Sequence, residues 1–284
     1  MERLPDWVDE IGYWSELKID IIRKYAAAYS RLMAAQRVPF YHIYVDAFAG
    51  GGLHVSRSTG RPVAGSPMEV LRVRPPFREY HFVDLRSVKT AHLRSLVGER
   101  PDVFIHEGDC NEVLLREILP RCRYEDYRRA LWVLDPYGMH YRWQVVQAAG
   151  EAQTVDLLLN FPIMDMNRDV LRRDLARTAA SGLERMLAFW GDDSWREVLY
   201  QTQASLFGPE YVRKVSQGNR RIVEAYCQRL KAGAGFRHVA RPLPMRNTIG
   251  AEVYFLVFAS ANATAARIVN DIFRGYSSEG LPSE

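Results

Sequence analysis

Four aspartates stand at the ends of short apolar runs, and carboxylates in that position are well suited to bind a polar ligand. The runs are residues 43–45, 80–84, 103–107 and 131–134, and the aspartates that end or follow them are Asp46, Asp84, Asp109 and Asp135. Apolar runs of this length are typical of strands buried on both faces. Because ligands bind outside the carboxyl ends of the strands in open α/β sheets, we expect the four carboxylates to share one site.

Three consecutive glycines, Gly50 to Gly52, follow the first of these aspartates closely. Glycine permits a sharp turn and lets a ligand approach the backbone without a Cβ in the way. Taken alone, the motif fits a ligand loop and a plain glycine-rich connection about equally well. It does not present the GxGxxG pattern, which argues against a dinucleotide oxidoreductase.

The spacing between the first two strands is longer than in dinucleotide-binding folds. Asp84 follows Asp46 by 38 residues, whereas the usual gap is about 20. Residues 53–65 therefore form an insertion, either a functional lid or a flexible loop.

Two of the strand ends have a second interpretation. Asp109, with Asn111, and Asp135 also fit simple helix caps, and for Asn111 the cap is the favoured reading. Asp135 is followed by Pro136, which stiffens the loop, and by Tyr137, whose ring can stack on a planar group.

The spacing of apolar residues elsewhere in the chain predicts the helices and strands that hold these residues. Residues 14–37 have the apolar spacing of an amphipathic helix that carries Lys18, either over the ligand loop or in solvent. A fifth strand is predicted at 155–159, and a late strand at 252–260 has 236–245 as its antiparallel neighbour. Alternating strands and helices predict one α/β domain over 1–284, with a mostly parallel sheet and helices on both faces.

Residues 164–219 break this alternation and are predicted to form a helical insertion or cap. The segment is rich in arginine, with Trp190, Trp195, Phe207 and Tyr211 interleaved. A basic surface with aromatic side chains can bind phosphates and stack bases. A solvated cap whose aromatics form a small core fits equally well, because acidic residues dilute the charge.

Composition excludes several classes of protein. The 284 residues include 48% hydrophobic ones and carry a net charge of +4, which permits an anionic partner without requiring one. No apolar run is long enough to span a bilayer, and residues 1–10 contain acids and no apolar segment typical of a secretory signal. The three cysteines have no CxxC spacing, so we expect no metal site and a reducing, cytoplasmic location.

The order of these motifs resembles class I S-adenosylmethionine-dependent methyltransferases and, more narrowly, the three-Cys-motif partner protein (TcmP) family. The motifs that carry the resemblance are VDAFAG at 45–50, GSP at 65–67, FVD at 82–84, GDCN at 108–111, LDPYG at 134–138, NFP at 160–162 and the strand at 254–260. Lys18, with Ile21 and Ile22, fits the opening helix of that family. The resemblance covers nearly the whole chain.

The resemblance implies a Rossmann-like class I methyltransferase fold, with a mostly parallel seven-stranded sheet and a helical insertion. It implies S-adenosylmethionine as cofactor and a site for each part of it. The cofactor-binding residues would be Lys18, Asp46, Phe48, Gly50, Gly52, Asp84, Leu85, Asp109 and Cys110. Asp46 would engage the methionine amino group directly or through water, Asp84 the ribose hydroxyls and Asp109 the adenine amino group.

Two functions follow as alternatives. The first is methyl transfer to a nucleotide, a nucleobase or a related small molecule, with Asp135 and Tyr137 as catalytic residues. The second is a non-catalytic protein that binds a nucleotide or nucleic acid for a radical SAM-type enzyme with a three-cysteine motif. The Asp-Pro-Tyr-Gly run is similar to the Asp/Asn-Pro-Pro-aromatic motif of methyltransferases that act on the amino groups of bases, but it lacks the second proline. Amino-group methylation of a base therefore does not follow from this run.

Overall fold

A computed structural model describes residues 4–37, 40–172, 175, 178–203, 211–215, 217–247 and 249–278. The first half of the chain contains β1 (Asp9–Ile11), α1 (Tyr13–Ala34), β2 (Tyr41–Asp46), β3 (Leu53–Ser56), β4 (Pro62–Ala64), α2 (Ser66–Val70), β5 (Glu79–Asp84), α3 (Ser87–Val97), β6 (Val103–Glu107), α4 (Cys110–Val113) and β7 (Arg128–Leu134). The second half contains α5 (Trp143–Glu151), β8 (Val155–Phe161), α6 (Ile163–Asp169), α7 (Ala180–Trp190), α8 (Trp195–Leu199), β9 (Tyr200–Gln203), β10 (Tyr211–Lys214), α9 (Gly218–Ala232), β11 (His238–Val239), β12 (Leu243–Arg246), β13 (Glu252–Ser260) and α10 (Ala263–Ser278).

The main sheet has the strand order β6-β5-β2-β7-β8-β13, and both β11 and β12 pair with the outer side of β13. The first five strands are parallel, and β13 is antiparallel to β8. This arrangement confirms the predicted Rossmann-like fold. The sheet has eight strands among the described residues, not seven, because the edge position is divided between β11 and β12. Pro242, which separates them, has no N–H to continue the ladder.

The core lies on both faces of this sheet. Alternate residues of β2 point to opposite sides, so Ile43 and Val45 belong to one buried cluster and Tyr44 to the other. The first cluster includes apolar residues of α5 and α9, and the second includes those of α1 and α10. The two layers fix the carboxyl ends of the central strands at one edge, as the apolar runs predict.

Residues 53–65 have regular secondary structure. They contain the hairpin β3–β4, and β1 pairs in parallel with β3 to complete a three-stranded sheet. Asp9 lies opposite His54 in this register. The short strands have no clear alternation in sequence, and their third partner comes from a distant part of the chain.

The segment 164–219 is only partly helical. It contains α6, α7 and α8, and then β9 and β10 form an antiparallel hairpin, so the prediction of helices alone is wrong for this part. Trp190 and Trp195 are fully buried in the cluster that also covers the main sheet. Phe207 lies outside the described residues, and the side chain of Tyr211 is not described. The two buried tryptophans cannot stack bases at the surface.

Within the described part of the chain, no helix has the length and apolar character needed to cross a membrane. In the same residues, no group of three or more His, Cys, Asp or Glu side chains is arranged to hold a metal ion.

Candidate functional site

A cavity of about 350 Å³ lies at the carboxyl ends of β2, β5, β6 and β7. Its volume falls in the range of small-molecule sites. Most of the predicted site residues line it, and these are Lys18, Phe48, Gly50, Asp84, Leu85, Asp109, Cys110, Asp135 and Tyr137. The structure thus brings together side chains from five separate segments of the chain. Asp46 and Gly52 do not line the cavity.

The glycine loop divides into one residue that faces the cavity and two that pack behind it. Gly50 lines the cavity at φ +65°, and a Cβ there would meet only the ring of His54, at 3.9 Å. At Gly51 a Cβ would lie 2.4 Å from the carbonyl oxygen of Trp7, and at Gly52 it would lie 2.8 Å from Leu93 Cδ1. The predicted ligand-binding residue Gly52 does not line the cavity, and its φ of +83° is one that residues with a Cβ rarely adopt.

Asp84 connects the second strand to the glycine loop. Its Oδ2 accepts a hydrogen bond from the backbone N–H of Gly50 at 3.0 Å, and its Oδ1 accepts one from the backbone N–H of Arg86 at 2.9 Å. A carboxylate has about four acceptor positions, so two remain for a ligand. The side chain is held by backbone groups on both sides and still faces the cavity.

Asp46 lies beneath the cavity wall and not in it. Its Oδ1 accepts from the Phe48 N–H at 3.2 Å, and its Oδ2 accepts from the Ser66 hydroxyl at 2.6 Å. Burial raises the pKa of Asp46 to about 6, and the nearby charges of Asp135 and Asp84 add to the effect. Ser66 lines the cavity itself and is the first residue of α2, whose N-cap is Gly65. The Ser66 hydroxyl therefore links Asp46 to the cavity wall.

The loop after β6 is held to the loop after β7. Asp109 caps α4 by accepting from the backbone N–H of Asn111 at 2.7 Å, so the cap belongs to Asp109 and not to Asn111. The buried Asn111 donates to the His140 carbonyl at 3.0 Å and accepts from the Arg142 N–H at 2.7 Å. Burial, with the charge of Asp109, raises the pKa of the Cys110 thiol to about 12. The thiol that lines the cavity therefore stays protonated near neutral pH and is not a nucleophile.

Asp135 is fixed by two side chains from distant parts of the sequence. Lys18 Nζ lies 2.6 Å from Asp135 Oδ1, and Asn160 Nδ2 donates to the same oxygen at 3.0 Å. The side chains of Lys18 and Asp135 are 11% and 23% exposed, and Lys18 Nζ lies 4.9 Å from the centre of the Tyr254 ring. Lys18 is therefore not a solvated helix lysine. Asp135 is not a helix cap, since α5 begins at Trp143.

Tyr137 presents its ring at the mouth of the cavity. The residue is 71% exposed and lines the cavity from the loop after β7. Its ring centre lies 6.0 Å from Lys89 Nζ. A ring held at a rim with most of its surface in solvent is available to stack on a planar group.

Sequence reasoning missed one ion pair in the cavity wall. Asp9 on β1 and Lys89 on α3 form a contact of 2.6 Å between Oδ2 and Nζ, and both side chains line the cavity. His54 and Ser15 also line it. No local pattern pointed to these residues, because they lie on separate elements: Asp9 and His54 meet through the pairing of β1 with β3, and Lys89 and Ser15 lie on α3 and α1.

The comparisons with known proteins concern the fold. No protein-family model and no curated protein matches the sequence. Protein LPL1258 from Legionella pneumophila, placed in family DUF519, is structurally similar with a TM-score of 0.50 and 11% identity over 92% of this chain and 93% of that one.

Two further structures match less closely. Trm1 from Pyrococcus horikoshii, in complex with S-adenosyl-L-methionine, has a TM-score of 0.45 and 13% identity over 90% of this chain and 57% of that one. The methyltransferase domain of bacterial CtHen1 has a TM-score of 0.41 and 9% identity over 84% of this chain and 99% of that one. At these identities a structural likeness concerns the fold alone.

Proposed function

We propose that this protein is an S-adenosylmethionine-dependent methyltransferase whose cofactor binds in the cavity at the carboxyl edge of the sheet. One observation carries the proposal: Asp84, held by the Gly50 N–H, faces the same cavity as Asp109 and Asp135. These groups come from four neighbouring strands, and the cofactor has polar groups spread along its length. The strand order and the sequence motifs support the same conclusion.

The cavity wall fits the adenosyl part of this cofactor. The free acceptor positions of Asp84 suit the two ribose hydroxyls, and Leu85 and Cys110 offer apolar surface to the adenine ring. Asp109 uses one oxygen to cap α4, and its other oxygen would accept from the adenine amino group. Gly50, with open space above its Cα, would let the chain of the methionine part lie against the backbone.

Asp46 would act on the methionine part only through its neighbours. It is buried and bonded to Ser66, which lines the cavity and would carry the contact to the amino group. Phe48, whose backbone N–H donates to Asp46, also lines the cavity. This assignment keeps Asp46 in the site as a positioning residue.

Asp135, Lys18 and Tyr137 also line the cavity and would hold the methyl acceptor. The cofactor supplies a methyl group already activated on a sulfonium, so the protein chiefly has to align the nucleophile. Asp135 would accept a hydrogen bond from that nucleophile, and the contact from Lys18 keeps its carboxylate in one orientation. Tyr137 would stack on a planar acceptor, such as a base.

Calorimetry with S-adenosylmethionine and its demethylated product tests the proposal directly. We expect both to bind the wild-type protein, and we expect Asp84→Ala to weaken each by at least about tenfold, since bonds to a charged acceptor contribute roughly 1.5–3 kcal/mol each. Asp126→Ala removes an exposed carboxylate outside the cavity wall and should change neither affinity. Unchanged affinity in Asp84→Ala would falsify the ribose assignment, and no binding to the wild type would refute the function.

The alternative, a non-catalytic binder of nucleotides or nucleic acid, has less support. Two features favour it, the partnership that the family resemblance implies and the arginine-aromatic segment 164–219, but Trp190 and Trp195 of that segment are buried. We infer from the cluster they share with the sheet that this segment is an insertion within one domain spanning 1–284. Binding of an oligonucleotide without any binding of the cofactor would restore the alternative.

We also propose, from the order of the sequence motifs, that the chain belongs to the TcmP family and associates with a radical SAM-type protein bearing a three-cysteine motif. Cys110, Cys122 and Cys227 are all free and buried, which suits a reducing cytoplasm and leaves that motif to the partner. Co-expression of the two proteins tests the association. Separate elution on size exclusion would remove this part of the proposal.

A further inference from the structure

The loop before β7 holds an exposed tyrosine in a backbone conformation that tyrosine rarely adopts. Tyr127 has a φ of +54°, in the left-handed region, and the residue is 59% exposed. Its N–H donates to the Tyr124 carbonyl at 3.1 Å, and the Arg128 N–H donates to the Arg123 carbonyl at 3.2 Å. This pair of bonds is the one that ends many helical turns, usually with glycine at the left-handed position. A bulky side chain there is strained, and such strain is often found at functional sites.

The Tyr127 ring stands at one end of a row of four planar groups. Its centre lies 6.3 Å from the centre of the Phe40 ring. Arg129 Cζ lies 4.6 Å from the Phe40 ring centre and 4.4 Å from the Tyr124 ring centre. Tyr124 ends the row and is 62% exposed. Two exposed rings, joined through a third ring and a guanidinium, offer flat surfaces on which bases can stack.

A groove of about 580 Å³ lies on the other face of the same sheet edge. Arg128 and Arg129 are successive residues of β7 and therefore point to opposite faces, and it is Arg128 that lines the groove. Half of the described residues in the wall are arginines. The wall consists of Arg121, Arg123 and Arg128 together with Tyr41, Pro120 and Asp126.

The arginines of this groove have only long contacts with acids. Arg121 and Arg128 both approach the buried Glu79, at 3.6 Å and 3.5 Å. Arg123 lies 3.7 Å and 3.9 Å from the carboxylates of residues 125–126. A charge-assisted hydrogen bond has a length of about 2.7–2.9 Å. The three guanidinium groups are therefore held loosely and can turn to a phosphate.

We propose that the 121–129 surface, which consists of Phe40 and the arginine and tyrosine side chains of residues 121–129, binds single-stranded nucleic acid. Bases would stack on Tyr124 and Tyr127, and phosphates would lie against the arginines of the groove. This binding is independent of the proposed methyl transfer. The surface lies at the amino end of β7, and the strand spans roughly 20 Å between it and the cavity at the carboxyl end.

Other occupants fit this surface less well. In a duplex the bases are stacked on one another, so the exposed rings would find few free faces. A protein partner would need a centre depleted in charged residues, as in most protein interfaces, whereas arginines make up half of the described wall of this groove. Unpaired bases and phosphates together match both the rings and the guanidinium groups.

Fluorescence anisotropy with labelled oligonucleotides of about 12 nucleotides tests the proposal on the intact chain. The probes are oligouridine, oligodeoxythymidine and a DNA duplex of the same length, each at about 50 mM salt. We expect the single strands to bind, and the duplex to bind about tenfold more weakly or worse. Binding of either single strand supports the proposal, and a preference for oligouridine would identify the strand as RNA. Absence of binding to both single strands overturns it.

Two variants with matched controls separate the stacking rings from the charges. Tyr124→Ala should weaken binding by about tenfold, the effect of losing one stacked base, whereas Tyr13→Ala removes an exposed tyrosine at the start of α1 and should not. Arg123→Gln should reduce the slope of log affinity against log salt concentration by about 0.7. Arg57→Gln, whose side chain is 59% exposed against 62% for Arg123, should leave the slope unchanged.

Tyr127→Gly distinguishes a binding role from a structural one. Glycine adopts the left-handed conformation freely, so we expect the urea midpoint to rise while the affinity falls by about tenfold. A lower midpoint would show that the ring is there to stabilise the loop, and unchanged affinity would show that it stacks on no base. Either result overturns the binding role. Should Tyr124→Ala not fold, Tyr127→Gly and Arg123→Gln decide.

Two further results would point to a different occupant. If the duplex binds as tightly as the single strands, the surface recognises charge alone, and the proposal is wrong. If the wild type sediments as a dimer and Tyr127→Gly as a monomer, the surface is an interface between copies of this chain, and the proposal is again wrong. The proposed methyl transfer is tested separately by calorimetry with the cofactor, because the cavity and the groove share no described residue.

Discussion

The contact between Lys18 and Asp135 gives a prediction that can be tested without any substrate. The two residues are 117 positions apart, and their charged atoms approach to 2.6 Å with most of both side chains buried. Lys18→Met keeps the apolar stem that lies beside Tyr254 and removes the charge. Asp135→Asn keeps the shape and removes the other charge. The two single variants and the double variant form a thermodynamic cycle.

The size of the coupling follows from the burial of the pair. At 2.6 Å an effective dielectric constant of about 20 gives a gross attraction of roughly 6 kcal/mol. Desolvation of both groups offsets most of that attraction, and with 11% and 23% of the side chains exposed, solvent screens part of the rest. We therefore expect each single variant to lose about 2 kcal/mol of unfolding free energy and the coupling to be about 1–2 kcal/mol.

Urea unfolding of the four proteins, followed by circular dichroism, measures the coupling. A matched control is the exposed pair Arg116 and Glu112, at 3.0 Å on one helical turn, for which the coupling should stay below about 0.5 kcal/mol. If the double variant loses the sum of the unfolding free energies lost by Lys18→Met and Asp135→Asn, to within about 0.5 kcal/mol, the two charges do not stabilise each other. The same result would leave Asn160 as the side chain that orients Asp135.

Two further predictions concern stability. Burial raises the pKa of Asp156 to about 6 despite two hydroxyl donors, so the folded protein keeps this proton to a higher pH than the unfolded chain. Wild-type stability should therefore fall between about pH 4 and pH 6 by on the order of 3 kcal/mol more than that of Asp156→Asn; parallel urea midpoints across that range would contradict this. Gly51→Ala should lower the unfolding free energy by about 2 kcal/mol, because the new Cβ would lie 2.4 Å from the Trp7 carbonyl oxygen. Gly275→Ala, with open space around its Cβ, should cause no loss, and equal midpoints for the two variants would count against the packing argument.

The central strands of the main sheet could be predicted from the sequence because they depend on local properties. Runs such as 43–45 and 131–134 are apolar on every residue, which is typical of a strand with both faces covered. The acids that follow such runs then share an edge, because parallel strands end on the same side of a sheet. Asp84, Asp109 and Asp135 do line one cavity, as expected from this reasoning.

The roles of individual side chains could not be predicted in the same way. Asp46 has the same place after its strand as Asp84, yet the helix that begins at Ser66 covers it and takes its second oxygen. Trp190 and Trp195 have the sequence context of a surface cluster and lie in the core. In each case the deciding neighbour is far along the chain, and local periodicity carries no information about it.

The sequence by itself determined where strands end, which residues follow them and which face of α1 is apolar, since these depend on side chains a few positions apart. Only the tertiary structure decided that Lys18 reaches Asp135, that Asp9 meets Lys89 and that Asn160 Oδ1 is left without a partner among the described residues. The physical reason is that a polar atom's partner is fixed by the packing of whole elements, and that packing joins residues separated by 25 to 117 positions here.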